Sequence, residues 1–433
     1  REGSLYVIME HGGSIPFAIR NKPWPGKAAV QVSLLTLFKG KWQGDYILDG
    51  KPAEVINSYL RNNKHLPPPK RLKANARMSF QGSIILGDGF TMTPGEAQDW
   101  IKKDPKNKDV LFPYLNGEDL NKRPDQSPSR WVINFHGWPL SPEQDLEEAT
   151  RKNPADPESA LKGPPYASDY PDLLKIVEEK VKPERQRWKE DKNGQPIIGD
   201  YHRGEKLAMQ WWRFEARRPA LYGEIKKLRI TESYQRVMVQ TIVSKTHGFS
   251  FQPTDKIYSN AMVVFMFSGY EKFAVLQSSW HEAWSWKFAS TMKGDRRYAP
   301  TDCFETFPFP AINPKSIAPL KEVGEQYYSQ RINIMKSFNL SMTQLYNYFH
   351  TSPERLKSLP EDLLREIVLL RNYKIEMDTQ VLFAYDFKLD LKYATWAHPY
   401  IDHSNNVRFI PHRSVIENVM DFLLVENHKR IIQ

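Results

Sequence analysis

The sequence has little cysteine and no long apolar run. Its only cysteine, Cys303, excludes an internal disulfide and any multi-cysteine zinc site, and it favours a reducing compartment. The longest purely apolar run, Ala261 to Phe267, is far shorter than the roughly 20 residues that a membrane span needs. The chain also lacks an export signal at its start. We therefore expect a cytoplasmic protein with no membrane segment.

Length and composition predict a folded protein of several domains. At roughly 100 to 200 residues per domain, 433 residues correspond to two to four units. Apolar residues make up 40% and aromatic residues 12%, which excludes wholesale disorder. Lys and Arg total 61 against 51 Asp and Glu, a net charge of +10. This excess favours a polyanionic partner, nucleic acid or acidic membrane, and does not choose between them.

The first part of the chain divides into strands and a connector. Residues 1–45 contain strand patterns at Ser4–Met9 and Ser14–Ile19, and the nearly continuous apolar run Ala28–Phe38 is typical of a strand covered on both faces. Such a strand predicts an α/β sheet with further members elsewhere, so the chain is interpreted as a piece of a longer polypeptide. Residues 46–73 turn polar and end in HLPPPKRLK, which predicts an extended linker.

The remaining chain predicts a mixed α/β domain at 74–310 and a helical domain at 311–433. In the first of these, Thr93 is a candidate N-cap for a helix, and residues 141–169 are interpreted as a long solvated loop. Strand patterns are RVMVQTIVS, GFSFQP, YSNAMVVFMF and FAVLQSS, followed by a helix at HEAWSWKFASTM. No repeat is visible.

Several short motifs invite a catalytic interpretation, and each has a simpler one. GPPY at 163–166 invites comparison with the Asn/Asp-Pro-Pro-Tyr loop of amino-methyltransferases, but Gly163 lacks the side-chain acceptor that this chemistry needs, which favours a proline turn. GDG at 87–89 favours a hairpin turn over half of a nucleotide loop. YPDLLKIVEEK has the residue types of a metal-dependent nuclease, although its spacing is that of a surface helix.

Two further residues are poor candidates for catalysis. HEAWS, which begins at His281, lacks the second histidine of a zinc-protease motif because Ser285 occupies that position. Cys303 lies in an aromatic segment, which favours a buried small residue over a nucleophile.

Basic and aromatic residues alternate in WWRFEARRP, RVMVQTIVSKTHGF and MKGDRRYAP. Arginine and lysine fit phosphates and guanine edges, which favours nucleic-acid binding. Exposed arginines beside core aromatics would give the same pattern. Composition alone leaves both interpretations open.

Longer segments resemble a known family. DVLFPYLNGEDLNKRPDQSPSRWVINFHGWPL, WWRFEARRPALYGEI and FAVLQSSWHEAW with RYAPTDCFETFPFP are similar to the target-recognition region of SAM-dependent DNA adenine methyltransferases. The similarity is to MmeI-like type IIL restriction-modification enzymes and related enzymes of phage-defence systems such as DISARM. The resemblance extends over nearly the whole chain. It implies the last strands of a Rossmann-like methyltransferase sheet at 1–45, a linker at 46–73, an α+β target-recognition domain at 74–310 and a helical C-terminal domain at 311–433.

The resemblance implies double-stranded DNA as partner and a catalytic portion upstream, in the same polypeptide or in trans. That portion would carry the SAM-binding glycine loop and the catalytic loop, both absent from this chain, so SAM would bind outside it and no metal is expected within it. Other subunits of a defence system are further candidate partners. The alternative is a separate, non-catalytic specificity subunit that recruits a methyltransferase or nuclease.

Specific residues follow from the same resemblance. Base contacts are expected from Lys293, Asp295 and Arg297, which face one way if the segment is extended. Asn260 and Ala261 are further base-contact candidates. Residue type suggests phosphate contacts by four more residues. These are Arg213, Arg217, Arg218 and Lys245.

Overall fold

The computed structural model describes residues 5–24, 31–58, 60, 67–231, 235–292, 295–311, 313–387 and 408–431. The chain forms two compact units, Arg1–Pro69 and Lys70–Gln433.

The first unit is built on a four-stranded sheet of order β2-β1-β3-β4. Its elements are helix α1 (Leu5–Glu10) and strands β1 (Ser14–Pro23), β2 (Gln31–Phe38), β3 (Tyr46–Leu48) and β4 (Lys51–Ala53). Strand β1 is antiparallel to β2 and parallel to β3. The buried core of this unit comprises Ile15, Ala18, Leu48, Ile56 and Leu60.

Three features of this unit differ from the sequence analysis. Residues 5–10 are a helix, whereas a strand was expected, because a short apolar segment fits either period. Residues 46–53 were assigned to the linker but supply two strands of this sheet. Strand β2 lies at the sheet edge and leaves Leu34 43% and Leu37 46% exposed. Within the described residues it is therefore not covered on both faces, and the Rossmann-like assignment stays a prediction.

The second unit contains thirteen strands in its described residues, which form four small sheets of orders β13-β11-β15-β5, β14-β7-β8-β6, β12-β17-β16 and β10-β9. The strands are β5 (Ser79–Gln81), β6 (Thr91–Met92), β7 (Leu111–Leu115), β8 (Arg130–Ile133), β9 (Trp188–Glu190), β10 (Pro196–Tyr201), β11 (Arg236–Thr241), β12 (Val243–Ser244), β13 (Ser250–Pro253), β14 (Ile257–Tyr258), β15 (Met262–Phe265), β16 (Ser290–Met292) and β17 (Asp295–Arg297).

Helices surround these sheets and dominate the C-terminal part. They are α2 (Pro94–Lys103), α3 (Gly117–Lys122), α4 (Pro142–Lys152), α5 (Pro171–Lys180), α6 (Lys182–Arg185), α7 (Glu205–Met209), α8 (Pro219–Thr231), α9 (Tyr270–Gln277), α10 (Ser279–Phe288), α11 (Pro314–Ser337), α12 (Met342–Phe349), α13 (Pro353–Leu356), α14 (Glu361–Ala384) and α15 (Arg413–Ile431).

Most elements expected in this unit are present. Thr93 caps α2 in a reciprocal pair with Glu96, as its position before the apolar spacing indicated. The nuclease-like segment is the helix α5, and Cys303 is buried. Burial raises the pKa of the Cys303 thiol to about 12, so it stays protonated at neutral pH.

Two helices of this unit were predicted as other structure. FAVLQSS was expected as a strand but lies mainly in α9, where Phe273 through Gln277 are all buried. A helix buried on every side has no amphipathic period, so its sequence resembles a buried strand. Residues 141–169 were expected to be a loop, yet Ser141 caps the helix α4.

The glycine and proline motifs form turns. GPPY lies in an exposed loop after α4, as expected of a proline turn. GDG is also a turn, but it joins β5 and β6, which belong to different sheets, so it is not a hairpin. Gly89 is needed there because a Cβ would lie 2.5 Å from the Cβ of Lys180.

The C-terminal helices belong to the same compact unit as residues 74–310. Helix α11 packs against α9 and α14. At the α9 contact, a Cβ on Gly324 would lie 2.4 Å from the carbonyl oxygen of Tyr270, so glycine sets how closely these two helices approach. The C-terminal helices therefore form one compact unit with the sheets.

Candidate nucleic-acid interface

The sheet β12-β17-β16 presents Arg297 at its centre. Arg297 pairs with Val243 on one side and with Ser290 on the other. All three residues are exposed, Val243 to 39%. Among the described residues no carboxylate pairs with Arg297, so its guanidinium can donate to another molecule.

The turn between β14 and β15 lies next to this sheet. Asn260 and Ala261 are exposed in the turn. The N–H of Ile242 donates to the carbonyl oxygen of Ala261 at 2.8 Å, and the carbonyl oxygen of Ile242 accepts from Tyr298 N–H at 2.7 Å. Backbone hydrogen bonds thus connect the turn to the Arg297 strand. The structure brings these two groups of base-contact candidates together.

Gln81 and Arg218 support the turn from the other side. Gln81 Nε2 donates to the carbonyl oxygen of Asn260 at 2.8 Å, and Gln81 Oε1 accepts from Arg218 at 3.2 Å. Arg218 Nε also donates to the carbonyl oxygen of Gly82 at 3.1 Å. A Cβ on Gly82 would lie 2.2 Å from the carbonyl oxygen of Ser259, so glycine is required for this close approach. Arg218, expected at a phosphate, has donors that hold the turn.

The two remaining base-contact candidates are Lys293 and Asp295. Lys293 lies outside the described residues, and Asp295 is described only as the first residue of β17. Lys245 is exposed two residues after Val243, beyond the end of β12. Its ammonium adds positive charge beside the Arg297 strand.

The other two arginines precede Arg218 in the chain and differ in exposure. Arg217 is exposed, and its guanidinium lies against Gly137, where a Cβ would be 2.0 Å from Nη1. Arg213 is only 5% exposed, its Nε donates to the carbonyl oxygen of Trp138 at 2.9 Å, and Nη1 is 3.6 Å from Glu148. The run WWRF folds inward, so the position of Arg213 argues against a phosphate contact.

Directly beneath Arg297 is a buried polar group. Arg296, only 1% exposed, donates from Nη1 to His247 Nδ1 and to Ser285 Oγ, each at 2.7 Å. His247 Nε2 lies 2.7 Å from the carbonyl oxygen of Leu276. His281 lies in the same interior, with Nε2 2.8 Å from the hydroxyl of Tyr298.

Burial and neighbouring cations disfavour charge on these histidines. The pKa of His247 is held well below its usual value of 6.5, mainly by burial and secondarily by the neighbouring Arg296 and His281. The pKa of His281 is also well below 6.5, mainly because of burial and secondarily because of Arg296. Both imidazoles are therefore neutral at physiological pH, and Arg296 carries the charge of this group.

The buried group continues into the C-terminal helices. Gln277 Nε2 donates to the carbonyl oxygen of His247 at 2.7 Å, and the carbonyl oxygen of Gln277 accepts from Lys374 Nζ at 2.8 Å. Lys374 also pairs with Asp378 at 3.2 Å, and the Asp378 carboxylate accepts from the N–H and the hydroxyl of Ser279 at 2.7 and 2.6 Å. We call the set Arg296, His247, Gln277, Lys374 and Asp378 the internal network.

Three residues near the interface were missed by the sequence analysis. Gln81 and His247 lie far in the chain from the residues they support, and Arg296 has the same residue type as its neighbour Arg297. The alternation of a strand could have indicated that one arginine of the pair faces inward.

Neither a metal-binding cluster nor a membrane-spanning helix is found in the described part of the chain. No cluster of three or more His, Cys, Asp or Glu side chains could hold a metal ion there. None of the helices described has the length and apolar character to cross a bilayer.

Comparison with known proteins adds a family match over the interface. The family described as "MmeI, target recognition domain" matches residues 205–311, a segment that includes Lys245, Asn260, Ala261 and Arg297. No curated protein matches the chain.

A solved structure is similar over nearly the whole chain. It is that of the type IIL restriction-modification enzyme MmeI in complex with DNA, with a TM-score of 0.56 and 18% sequence identity. The match covers 99% of this chain and 47% of the MmeI chain, so this chain spans about half of that enzyme's length. The likeness is one of fold, a mixed α/β arrangement of several small sheets and many helices.

Proposed function

We propose that this chain is the DNA target-recognition and C-terminal part of a SAM-dependent N6-adenine methyltransferase of the type IIL restriction-modification kind. The observation that carries the proposal is the convergence of Arg297, Asn260–Ala261 and Lys245 on one exposed edge of the segment matched to the target-recognition family. The similarity to MmeI and the net charge of +10 support it.

The interface has the chemistry that duplex recognition requires. An exposed arginine can donate two hydrogen bonds to O6 and N7 of guanine in the major groove. Asn260 offers a side-chain amide that can donate and accept, which suits an adenine edge. Lys245 can neutralise a phosphate without reading sequence. Arg217 is exposed next to Arg218 and is a further phosphate-contact candidate.

Methyl transfer is assigned to a portion outside this chain. GPPY does not fit the catalytic role, because Gly163 has no side chain to accept from an adenine amino group. In the proposal, SAM and the catalytic loop are upstream, in the same polypeptide or in trans, and this chain selects the site. Cytoplasmic restriction-modification or anti-phage defence is the proposed setting.

The test of recognition is selection from a pool of duplexes with a randomised core. The purified chain is expected to enrich one sequence motif, and its affinity is expected to fall steeply as salt rises. Binding of all duplexes alike would contradict target recognition.

The test of the methyltransferase assignment uses a host that expresses the full gene. Modification-sensitive long-read sequencing of its DNA is expected to show N6-methyladenine within the same motif. If the catalytic loop is intact upstream and no adenine motif is methylated, the assignment is wrong.

A further inference from the structure

Neighbouring arginines of β17 point to opposite sides of the strand. Arg296 is 1% exposed and Arg297 is exposed, as alternation along a strand requires. A rotation of the strand that released Arg296 would also turn Arg297 away from the surface. The inward contacts of Arg296 therefore keep Arg297 on the exposed face of the strand.

Backbone pairing alone holds this strand weakly. Strand β17 has three residues, and its neighbours β12 and β16 have two and three. The Arg296 side chain adds contacts to two further segments: Ser285 on α10, and His247 with the carbonyl oxygen of Thr246, which lies 3.4 Å from Nη2. The Arg296 guanidinium, together with the buried Tyr298 that follows β17, thus fastens the strand to the core.

The contact between Arg296 and His247 defines the state of the imidazole. A guanidinium has only donors, so His247 Nδ1 must be the acceptor. The proton is then on Nε2, which donates to the carbonyl oxygen of Leu276. The contact exists only with neutral His247, since protonation would place an N–H on Nδ1 opposite the guanidinium.

The charged and titratable groups that face His247 all disfavour protonation. They are Arg296 from β17, His281 from α10 with ring centroids 5.7 Å apart, and Lys374 from α14. Gln277, whose side chain donates to the His247 carbonyl oxygen, is neutral. Burial and the charges of Arg296 and Lys374 oppose protonation of His247, and the hydrogen bond to the carbonyl oxygen of Leu276 only partly offsets them.

We propose that Arg296, held by neutral His247, is a positioning residue that sets the sequence specificity of the interface by fixing the orientation of Arg297. The inference rests on the proposed function. Arg296 itself does not touch DNA. Its loss relaxes base preference and leaves general duplex affinity in place.

The experiment is selection of the randomised duplex pool by the full chain and by three variants. His247→Gln keeps a donor near Nε2 but removes the acceptor for Arg296, whereas His247→Asn keeps an oxygen near Nδ1. Arg296→Met removes the guanidinium. Preference at the base pair read by β17 is expected to fall about 5- to 150-fold in His247→Gln and Arg296→Met and to persist in His247→Asn.

A merely structural role predicts another result. Partial unfolding reduces the amount of binding protein but leaves the motif selected by the folded molecules unchanged, and an unchanged motif in His247→Gln and Arg296→Met overturns the inference. A wild-type chain that enriches no motif overturns the proposed function instead.

If His247→Gln and Arg296→Met fail to fold, a pH series with the wild-type chain and His247→Asn tests the inference. The wild-type motif is expected to be unchanged near pH 6.5 and to weaken only as the selection pH approaches the folded-state pKa of His247, well below 6.5, at constant circular dichroism. The His247→Asn motif is expected to stay constant. Equal pH responses of the two proteins overturn the inference.

Discussion

Arg296 and Arg297 are adjacent in sequence, but Arg296 belongs to the buried interior and Arg297 to the solvent-exposed surface. Arg297 lies on an exposed surface with Lys245 and Asn260, where its donors are available and water screens its charge. Arg296 lies in the interior, where His247 and Ser285 accept its hydrogen bonds. The difference teaches that the exposed region would make the contacts to DNA, whereas the buried region holds the contacting residues in position. Substitutions should therefore separate recognition from stability.

The largest expected effect is on the internal network. Lys374→Met leaves the Asp378 carboxylate buried without its cation, and we expect the free energy of unfolding to fall by about 3 to 5 kcal/mol. Denaturant unfolding measures this. The control Lys245→Met, at an exposed site, should change stability by less than about 0.5 kcal/mol. Asp378→Asn added to Lys374→Met should recover part of the loss, and a double variant no better than the single one would contradict the charge explanation.

The second effect is a loss of stability in acid. The folded-state pKa of His247 and of His281 lies below the unfolded value of 6.5, so below that pH the unfolded chain binds more protons. Their contribution is complete above pH 6.5 and decreases as pH falls toward the folded pKa, by up to about 1.4 kcal/mol per pH unit for each histidine. Unfolding measured from about pH 7.5 to about pH 5 should show a shallower slope for His247→Asn than for wild type. Identical slopes would show that His247 does not contribute to the pH dependence of the free energy of unfolding.

The third effect is on base discrimination by the exposed region. Arg297→Ala should cost about 1 to 3 kcal/mol of discrimination at one base pair and leave the free energy of unfolding nearly unchanged. Competition between the selected duplex and duplexes with single substitutions measures it. Equal weakening toward selected and scrambled duplexes would assign Arg297 to the phosphates.

The smallest effect is electrostatic. Lys245→Ala should weaken binding to every duplex and reduce the slope of log affinity against log salt by about 0.9 if one phosphate contact is lost. Titrations at several salt concentrations check this, with Lys189→Ala as a control because Lys189 pairs with Asp200 on the separate β9-β10 hairpin. A changed motif with an unchanged salt slope would instead indicate a base contact by Lys245.

The sequence predicted helices best where the signal for a helix lies within a few residues of the helix itself. The Thr93 cap and the amphipathic spacing of α5 identified helices because each signal lies within a few residues. Helix α9 was missed because tertiary burial on all sides removes the periodicity that distinguishes a helix from a strand.

The candidate site was predictable in part, for a related reason. Residue type and family resemblance selected Arg297 and Asn260, which the structure brings together. The same reasoning placed Arg213 at the surface, because composition does not distinguish an arginine that faces solvent from one whose guanidinium binds a buried carbonyl oxygen. His247 and Asp378 act through contacts between distant segments, and no local pattern marks such contacts.

The Lys374–Asp378 salt bridge at the start of helix α10 limits which segment can be exchanged to change specificity. Asp378 accepts hydrogen bonds at the first residue of the helix that leads into β16 and β17. A graft limited to residues 205–311 would cut this anchor and leave Ser279 without its partner. The transferable module for exchanging specificity is therefore the unit Lys70–Gln433 with α14 included, whereas single-residue exchanges at Arg297 or Asn260 leave the anchor intact.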